Sequence, residues 1–288
     1  MSVHQLHTLH HRSFDAMKFV YPVLSRRSGG ISVGINLNPD KVCNFDCIYC
    51  QVNRRRQSQT RFVDMEELTQ ELREMLKLVA TGKLYEMEPF HNTPPGLRHL
   101  KDISFSGDGE PTTYRNFDSI IDTCADVKRK AGLDNVKMVL ITNASMFHRS
   151  HVERGLRILD ANQGEIWAKL DAGTEGYYHL IERTPIPFRQ ILENITAAAK
   201  CRPLVIQSLW MRVNGAPPSA TELAAYCERL QEILGAGGKL RLVQIYTVAR
   251  PPAERSVAPL EDSEVDSIAH MVRKQVGVAT KSFYGKSF

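Results

Sequence analysis

The 288-residue chain lacks any run approaching the roughly 18 consecutive apolar residues that a bilayer-spanning helix needs, so no membrane segment is expected. Met1 to Phe14 carries His and Arg where a secretory signal would need an apolar stretch, and a soluble, cytoplasmic protein is predicted. Cysteine is scarce: six residues are too few for a disulfide scaffold, and cytosolic thiols stay reduced. Internal repeats, low-complexity tracts and a clear interdomain linker are missing as well. Net charge is only +5, from 37 basic and 32 acidic residues, enough to help attract a phosphate-bearing partner but too little to mark a nucleic-acid protein by itself. What is present is 42% hydrophobic and 24% charged residues, the composition of a globular chain with a large core.

Short β-branched runs alternate with segments of helical period from residue 31 onward, the pattern of repeated β-α units and a parallel sheet. Strands are predicted at 31–38, 103–107, 137–142, 165–171, 204–211 and 240–247. Helices are predicted at 64–80, 116–131, 149–159, 188–200, 219–234 and 261–275. Asp64 with Glu67 reads as a capping box, Gly132 and Gly235 as helix stops, and Pro185 with Pro187 as an interruption of the fourth crossover. The Pro-rich stretch from Gly82 to Lys101 is too long for a simple connector and is expected to form a flap or lid. The domain reading is an N-terminal extension over 1–30, an α/β barrel over 31–275 and a tail over 276–288.

Cysteine usage is uneven. Cys43, Cys47 and Cys50 fall within eight residues just after the first predicted strand, while Cys124, Cys201 and Cys227 lie singly in predicted helices, where they are expected to act as small buried residues. Clustered thiolates suit a soft metal. Zinc would normally take four protein ligands in two pairs, and no second Cys or His pair follows at usable spacing. An iron–sulfur cluster held by three cysteines leaves one iron without a protein ligand, which is a place for chemistry.

The C-x3-C-x2-C spacing with Tyr49 before the third cysteine resembles the signature of the radical S-adenosylmethionine (SAM) superfamily. The likeness extends to Gly107-Asp108-Gly109-Glu110 after the second strand, where that family carries a Gly-rich, Glu-containing turn for the methionine amino group of SAM. It also reaches Asn143 at the end of the third strand, and Lys169 and Asp171 at the end of the fourth, where the family contacts the cofactor. The resemblance implies an open (β/α)6 partial TIM barrel, a [4Fe–4S] cluster on Cys43, Cys47 and Cys50, and SAM bound near Tyr49, Gly107, Asp108, Gly109, Glu110, Asn143, Lys169 and Asp171. Reductive cleavage of SAM to a 5′-deoxyadenosyl radical is then the expected reaction, with a reducing donor such as flavodoxin or ferredoxin as partner. Within the superfamily the sequence is similar to iron–sulfur oxidoreductases related to wyosine synthases, through Tyr21 to Arg27, the Gly107 to Thr112 turn and Arg250-Pro251-Pro252. Residues 1–42 contain none of the cysteines those synthases use for a second cluster.

Arg26, Arg27, Arg54, Arg55, Arg56 and Arg61 flank the cysteine loop, and they are the basis for reading RNA as the substrate. A protein or peptide substrate is the alternative, and a non-catalytic iron–sulfur electron carrier or a zinc-binding RNA module are rivals of another class. Lys169 and Asp171, two apart on a strand, share one face, where they contact the cofactor or form a structural ion pair. Gln207 and Gln244 sit in otherwise apolar strands as either ligand contacts or core amides. His4, His7, His10 and His11 read as an exposed amphipathic lead-in.

Overall fold

The computed structural model describes residues 12, 14–54, 58, 60–252 and 254–285. The four lead-in histidines, Arg55 and Arg56 lie outside the described residues. The chain divides into two compact units: one holds the chain up to Cys43, Arg54–Ile141 and Arg149–Glu165, the other Asn44–Asn53, Thr142–His148 and Ile166–Phe288.

In the first unit, strand β1 (Val20–Ser25) pairs antiparallel with β2 (Gly30–Ile35), and β3 (Leu100–Phe105) and β4 (Lys137–Thr142) follow in parallel, in chain order. Pro22 is tolerated in β1 because that strand lies at the sheet edge, where a missing N–H costs no ladder bond. Helices α1 (Met65–Ala80), α2 (Phe117–Lys130) and α3 (Ser150–Asp160) supply the crossovers. In α1, Leu68, Leu72, Met75, Leu76 and Val79 repeat at helical spacing and are buried, and Asp64 caps the helix by accepting from Glu67 N at 2.9 Å. Buried Glu71 on the same helix accepts the backbone N–H groups of Lys18, Phe19 and Val20 at 2.7, 2.8 and 3.0 Å, which pins the start of β1.

In the second unit β5 (Gly164–Lys169, belonging to it from Ile166), β6 (Leu204–Leu209), β8 (Leu240–Tyr246) and β10 (Thr280–Phe283) run parallel in that order. A separate ribbon joins β7 (Met211–Val213) to β9 (Val257–Pro259). Helices α4 (Glu175–Glu182), α5 (Phe188–Cys201), α6 (Ala220–Gly235) and α7 (Asp262–Val276) intervene. The core here centres on fully buried Trp210 and Tyr226, edge to face at 5.2 Å between ring centroids.

All six predicted strands and six predicted helices are present, with ends displaced by three residues at most. The structure adds β1 within 1–30, β10 within 276–288, the β7–β9 ribbon and α4, which is too short to show a helical period in the sequence. The segment 82–101 is not a flap. It is three 3-10 turns whose Leu84, Phe90 and Thr93 are buried, and it enters β3 at the strand end opposite the Gly107 turn. Burying those side chains fastens the segment to the unit. Cys124 and Cys227 are buried as expected, but Cys201 is exposed because it ends α5, where the apolar face of the helix runs out.

Candidate active site

Strand β2 ends in polar residues, Asn36 and Asn38, both nearly inaccessible to solvent. They hold the Gly107 turn, which follows β3 beside them in the sheet. Asn36 Nδ2 donates to Asp108 Oδ2 at 2.8 Å, and Asp108 N donates back to Asn36 Oδ1 at 3.1 Å. Gly107 and Gly109 are glycines for steric reasons: a Cβ would stand 2.1 Å from Asn36 Oδ1 at the first and 2.1 Å from the Val42 carbonyl at the second. The turn therefore lies backbone to backbone against the residue that precedes Cys43. Glu110 is buried and caps the 3-10 turn Pro111–Thr113, with Oε1 accepting from Thr112 N at 3.1 Å and from the Thr112 hydroxyl.

Arg54 points inward, donating through one guanidinium nitrogen to the carbonyls of Lys41 and, at 2.9 Å, of Asp108. Arg54, counted in the sequence among the arginines that flank the cysteine loop, thus spends its guanidinium on two backbone carbonyls.

Within the second unit the cysteine loop is fastened by the end of α4. Asp46 N donates to the Glu182 carbonyl at 3.1 Å, Ile48 N to the Ile181 carbonyl at 2.9 Å, and the Thr184 hydroxyl to the Asn44 carbonyl at 2.9 Å. Arg183, in the left-handed region at φ 45°, turns the chain between them. Cys50 N donates to the Cys47 carbonyl at 2.9 Å, closing a tight turn. Asn143 Nδ2 donates to Asn44 Oδ1 at 2.9 Å, and Asn44 Nδ2 to the Ser145 hydroxyl at 2.7 Å, so Asn143 steadies the loop itself.

Behind the loop stands a cluster of buried charge. Tyr49 OH donates to Asp171 Oδ2 at 2.5 Å and lies 3.1 Å from Glu182 Oε1. Lys169 Nζ is 2.8 Å from the same Asp171 oxygen and 2.9 Å from Tyr246 OH. Asp171 Oδ1 accepts Leu209 N at 2.7 Å. Cys47 Sγ donates to Glu182 Oε2 at 2.6 Å. Burial first, and Asp171 next, lift the Tyr49 phenol well above its ordinary range, and burial with Glu182 does the same to the Cys47 thiol. Burial, then Asp171, pushes the Glu182 carboxyl up to about 8. Burial disfavours the Lys169 ammonium, but Asp171, Tyr246 and Glu182 outweigh it and the pKa is raised. Gln207 and Gln244 pair with each other, Nε2 to Oε1 at 2.8 Å.

The structure thus joins Tyr49, Lys169 and Asp171 in one unit and Gly107, Asp108, Gly109 and Glu110 in the other. Cys43, Cys47 and Cys50 share one loop, and among the described residues no group of three His, Cys, Asp or Glu side chains that could hold a metal ion is formed. Their chemistry nonetheless fits an iron–sulfur cluster: three thiols on one loop, none of them in a disulfide. Sequence reasoning missed Glu182, Asn36 and Asn38. The two asparagines carried a signal, polar residues closing an apolar strand. Glu182 carried none, being 135 residues from Cys47.

Three cysteines after β2, and a glycine turn with a buried carboxylate after β3, are features of a class of α/β enzyme whose sites lie at the C-terminal ends of parallel strands. Residues 37–211, more than half the chain, match the family model described as the radical SAM superfamily, and the chain belongs to that superfamily. It is an enzyme of this class, and the family's cofactors are a [4Fe–4S] cluster and SAM. The chain is 25% identical over 252 residues to a GTPase Obg of Brachyspira hyodysenteriae, covering 85% of this chain but only 32% of that protein. It is 24% identical over 270 residues to a UPF0026 protein of Methanocaldococcus jannaschii, covering 92% of this chain and 74% of the relative. Among solved structures, a radical SAM methyltransferase from Sphaerobacter thermophilus superposes with a TM-score of 0.62 at 11% identity, over 92% of this chain and 69% of that one. That likeness agrees with the α/β partial TIM barrel of the family. Among the described residues no helix is long and apolar enough to cross a membrane.

Proposed function

We propose that Cys43, Cys47 and Cys50 hold the [4Fe–4S] cluster and that the Gly107 to Glu110 turn receives the amino end of SAM, in an enzyme that abstracts hydrogen from RNA. The observation that carries the site is the approach of Gly109 to the Val42 carbonyl, which leaves no room for a Cβ and sets the turn beside the start of the cysteine loop. When bound, the cluster and SAM supply reductive cleavage of a C–S bond and a 5′-deoxyadenosyl radical. The chain's part is to bind and to exclude water. Glu110 offers a buried carboxylate to a cationic amine, and the two glycines let backbone come close to it. Asn143 keeps the cysteine loop in place, and Lys169, Asp171 and Tyr49 offer a fixed charge pair and a phenol as further contacts to the cofactor. An external reductant of the flavodoxin or ferredoxin type delivers the electron.

RNA is favoured by the net charge of +5 and by the solvent access of Arg61, which is exposed, and of Arg26 and Arg27, which are half-buried. Phosphates neutralised by arginine release counterions, so RNA affinity should fall steeply with salt. Replacing Arg55, Arg56 and Arg61 by Ala should lower the slope by about one for each phosphate no longer neutralised. Equal, salt-insensitive curves would reject RNA and leave a peptide substrate as the reading to pursue. The reaction itself is tested by anaerobic reconstitution followed by iron and sulfide analysis and by 5′-deoxyadenosine release on reduction; stoichiometric zinc without sulfide would overturn it.

A further inference from the structure

Asn38 is 5% exposed and its polar groups are almost all committed. Its backbone N–H donates to Asn36 Oδ1 at 3.1 Å, and its carbonyl accepts Lys41 N at 2.8 Å. In the side chain, Nδ2 donates to the Thr113 hydroxyl oxygen at 3.3 Å. The Thr113 hydroxyl spends its own proton on the Glu110 carbonyl at 2.7 Å, so toward Asn38 it can only accept. That fixes which end of the amide is which: nitrogen faces Thr113, and Oδ1 is the end that remains. Asn38 Oδ1 is buried and has no hydrogen-bond partner. A buried amide oxygen left so is destabilising, and a ligand donor would remove that cost.

The position of this oxygen indicates the ligand. The Asn38 carboxamide stands in the space that a Cβ on Gly109 would fill, with Asn38 Cγ 2.8 Å from that point. Asn38 and Glu110 are thereby tied to the same turn, one through its Nδ2 bond to Thr113 and its seat against Gly109, the other through Thr112. A neutral acceptor packed against the turn and a carboxylate on it suit a group with several N–H donors and a positive charge. We propose that Asn38 Oδ1 is a second acceptor for the ammonium of SAM, beside Glu110. The proposal rests on the reading that the turn receives the amino end of SAM.

The experiment is an equilibrium SAM titration of the anaerobically reconstituted full chain, native and with Asn38→Leu, Asn38→Ala and Glu110→Gln, each checked for iron content. It is repeated with a SAM analogue whose ammonium is replaced by hydrogen. Loss of a hydrogen bond to a charged group weakens binding roughly ten- to a hundred-fold. Asn38→Leu and Asn38→Ala should each show such a loss for SAM with native iron content, and almost none for the analogue. If Leu at this position prevents folding, the Ala variant alone decides. Equal losses for SAM and the analogue, or no loss while Glu110→Gln weakens binding, would overturn the role of Asn38 and leave the turn reading standing. Native affinity in all three variants would overturn both.

Discussion

The Gly107 turn and the cluster behind Cys47 both hold carboxylates, yet they satisfy them by different means. In the turn, Glu110 is met by a threonine hydroxyl and a backbone N–H, and Asp108 by an asparagine amide and, at the longer distance of 3.5 Å, the Arg12 guanidinium. In the cluster, Asp171 is met by an ammonium and two donors, and Glu182 by a phenol and a thiol. The first arrangement includes a buried acceptor without a partner, Asn38 Oδ1. The second is closed on itself and stiff, because a buried ion pair that loses one partner strands the other. The turn proposed to receive SAM and the cluster that braces the cysteine loop thus differ in their polar chemistry.

The largest effect that tests this contrast is expected from the loop the cluster braces. Replacing Cys43, Cys47 and Cys50 together by Ala should abolish iron binding and SAM cleavage; four irons retained per chain would refute the ligand assignment.

Next comes the ion pair. Lys169→Met leaves the inaccessible Asp171 carboxylate without its counter-charge and should cost about 3 kcal/mol of stability, read as an earlier denaturant midpoint. A midpoint equal to the native one would mean that the phenol and Leu209 N–H suffice.

The turn should respond in affinity rather than in stability. Glu110→Gln is expected to weaken SAM roughly ten- to a hundred-fold at full iron content. A large drop in melting temperature with unchanged affinity would make the carboxylate a structural cap only.

The smallest effect belongs to another buried acid, Asp102 on β3, which accepts from Ser32 Oγ at 2.5 Å. Burial raises its pKa in the fold, against the lowering pull of Ser28 and Ser32. A carboxyl raised on folding gives stability that is complete below its unfolded pKa and lost as pH rises through the folded value. Asp102→Asn should therefore flatten the fall of melting temperature with rising pH, and a steeper fall in the variant would reverse that sign.

Much of this molecule is legible in local sequence. Short β-branched runs place the six strands and period-3.6 patterns the six helices, because central strands such as β2 and β6 are buried on both faces while each helix buries one. The cysteine spacing and the glycine turn are equally local. Helix α4 and strand β10 escape that reading, since eight and four residues are too few to show a period. The lid expected over 82–101 fails for a related reason: proline content marks irregular backbone but says nothing about whether Leu84 and Phe90 find a core.

By itself, then, the sequence determined the order of elements, the thiol loop and the turn that carries Glu110, all properties of residues near one another in the chain. Only the tertiary structure decided that Arg54 faces two carbonyls instead of solvent, that Glu182 meets Cys47 across 135 residues, and that Asn38 keeps one oxygen unpaired. Hydrogen bonds depend on distance and direction between groups that different crossovers deliver, and no spacing within a single segment encodes that meeting.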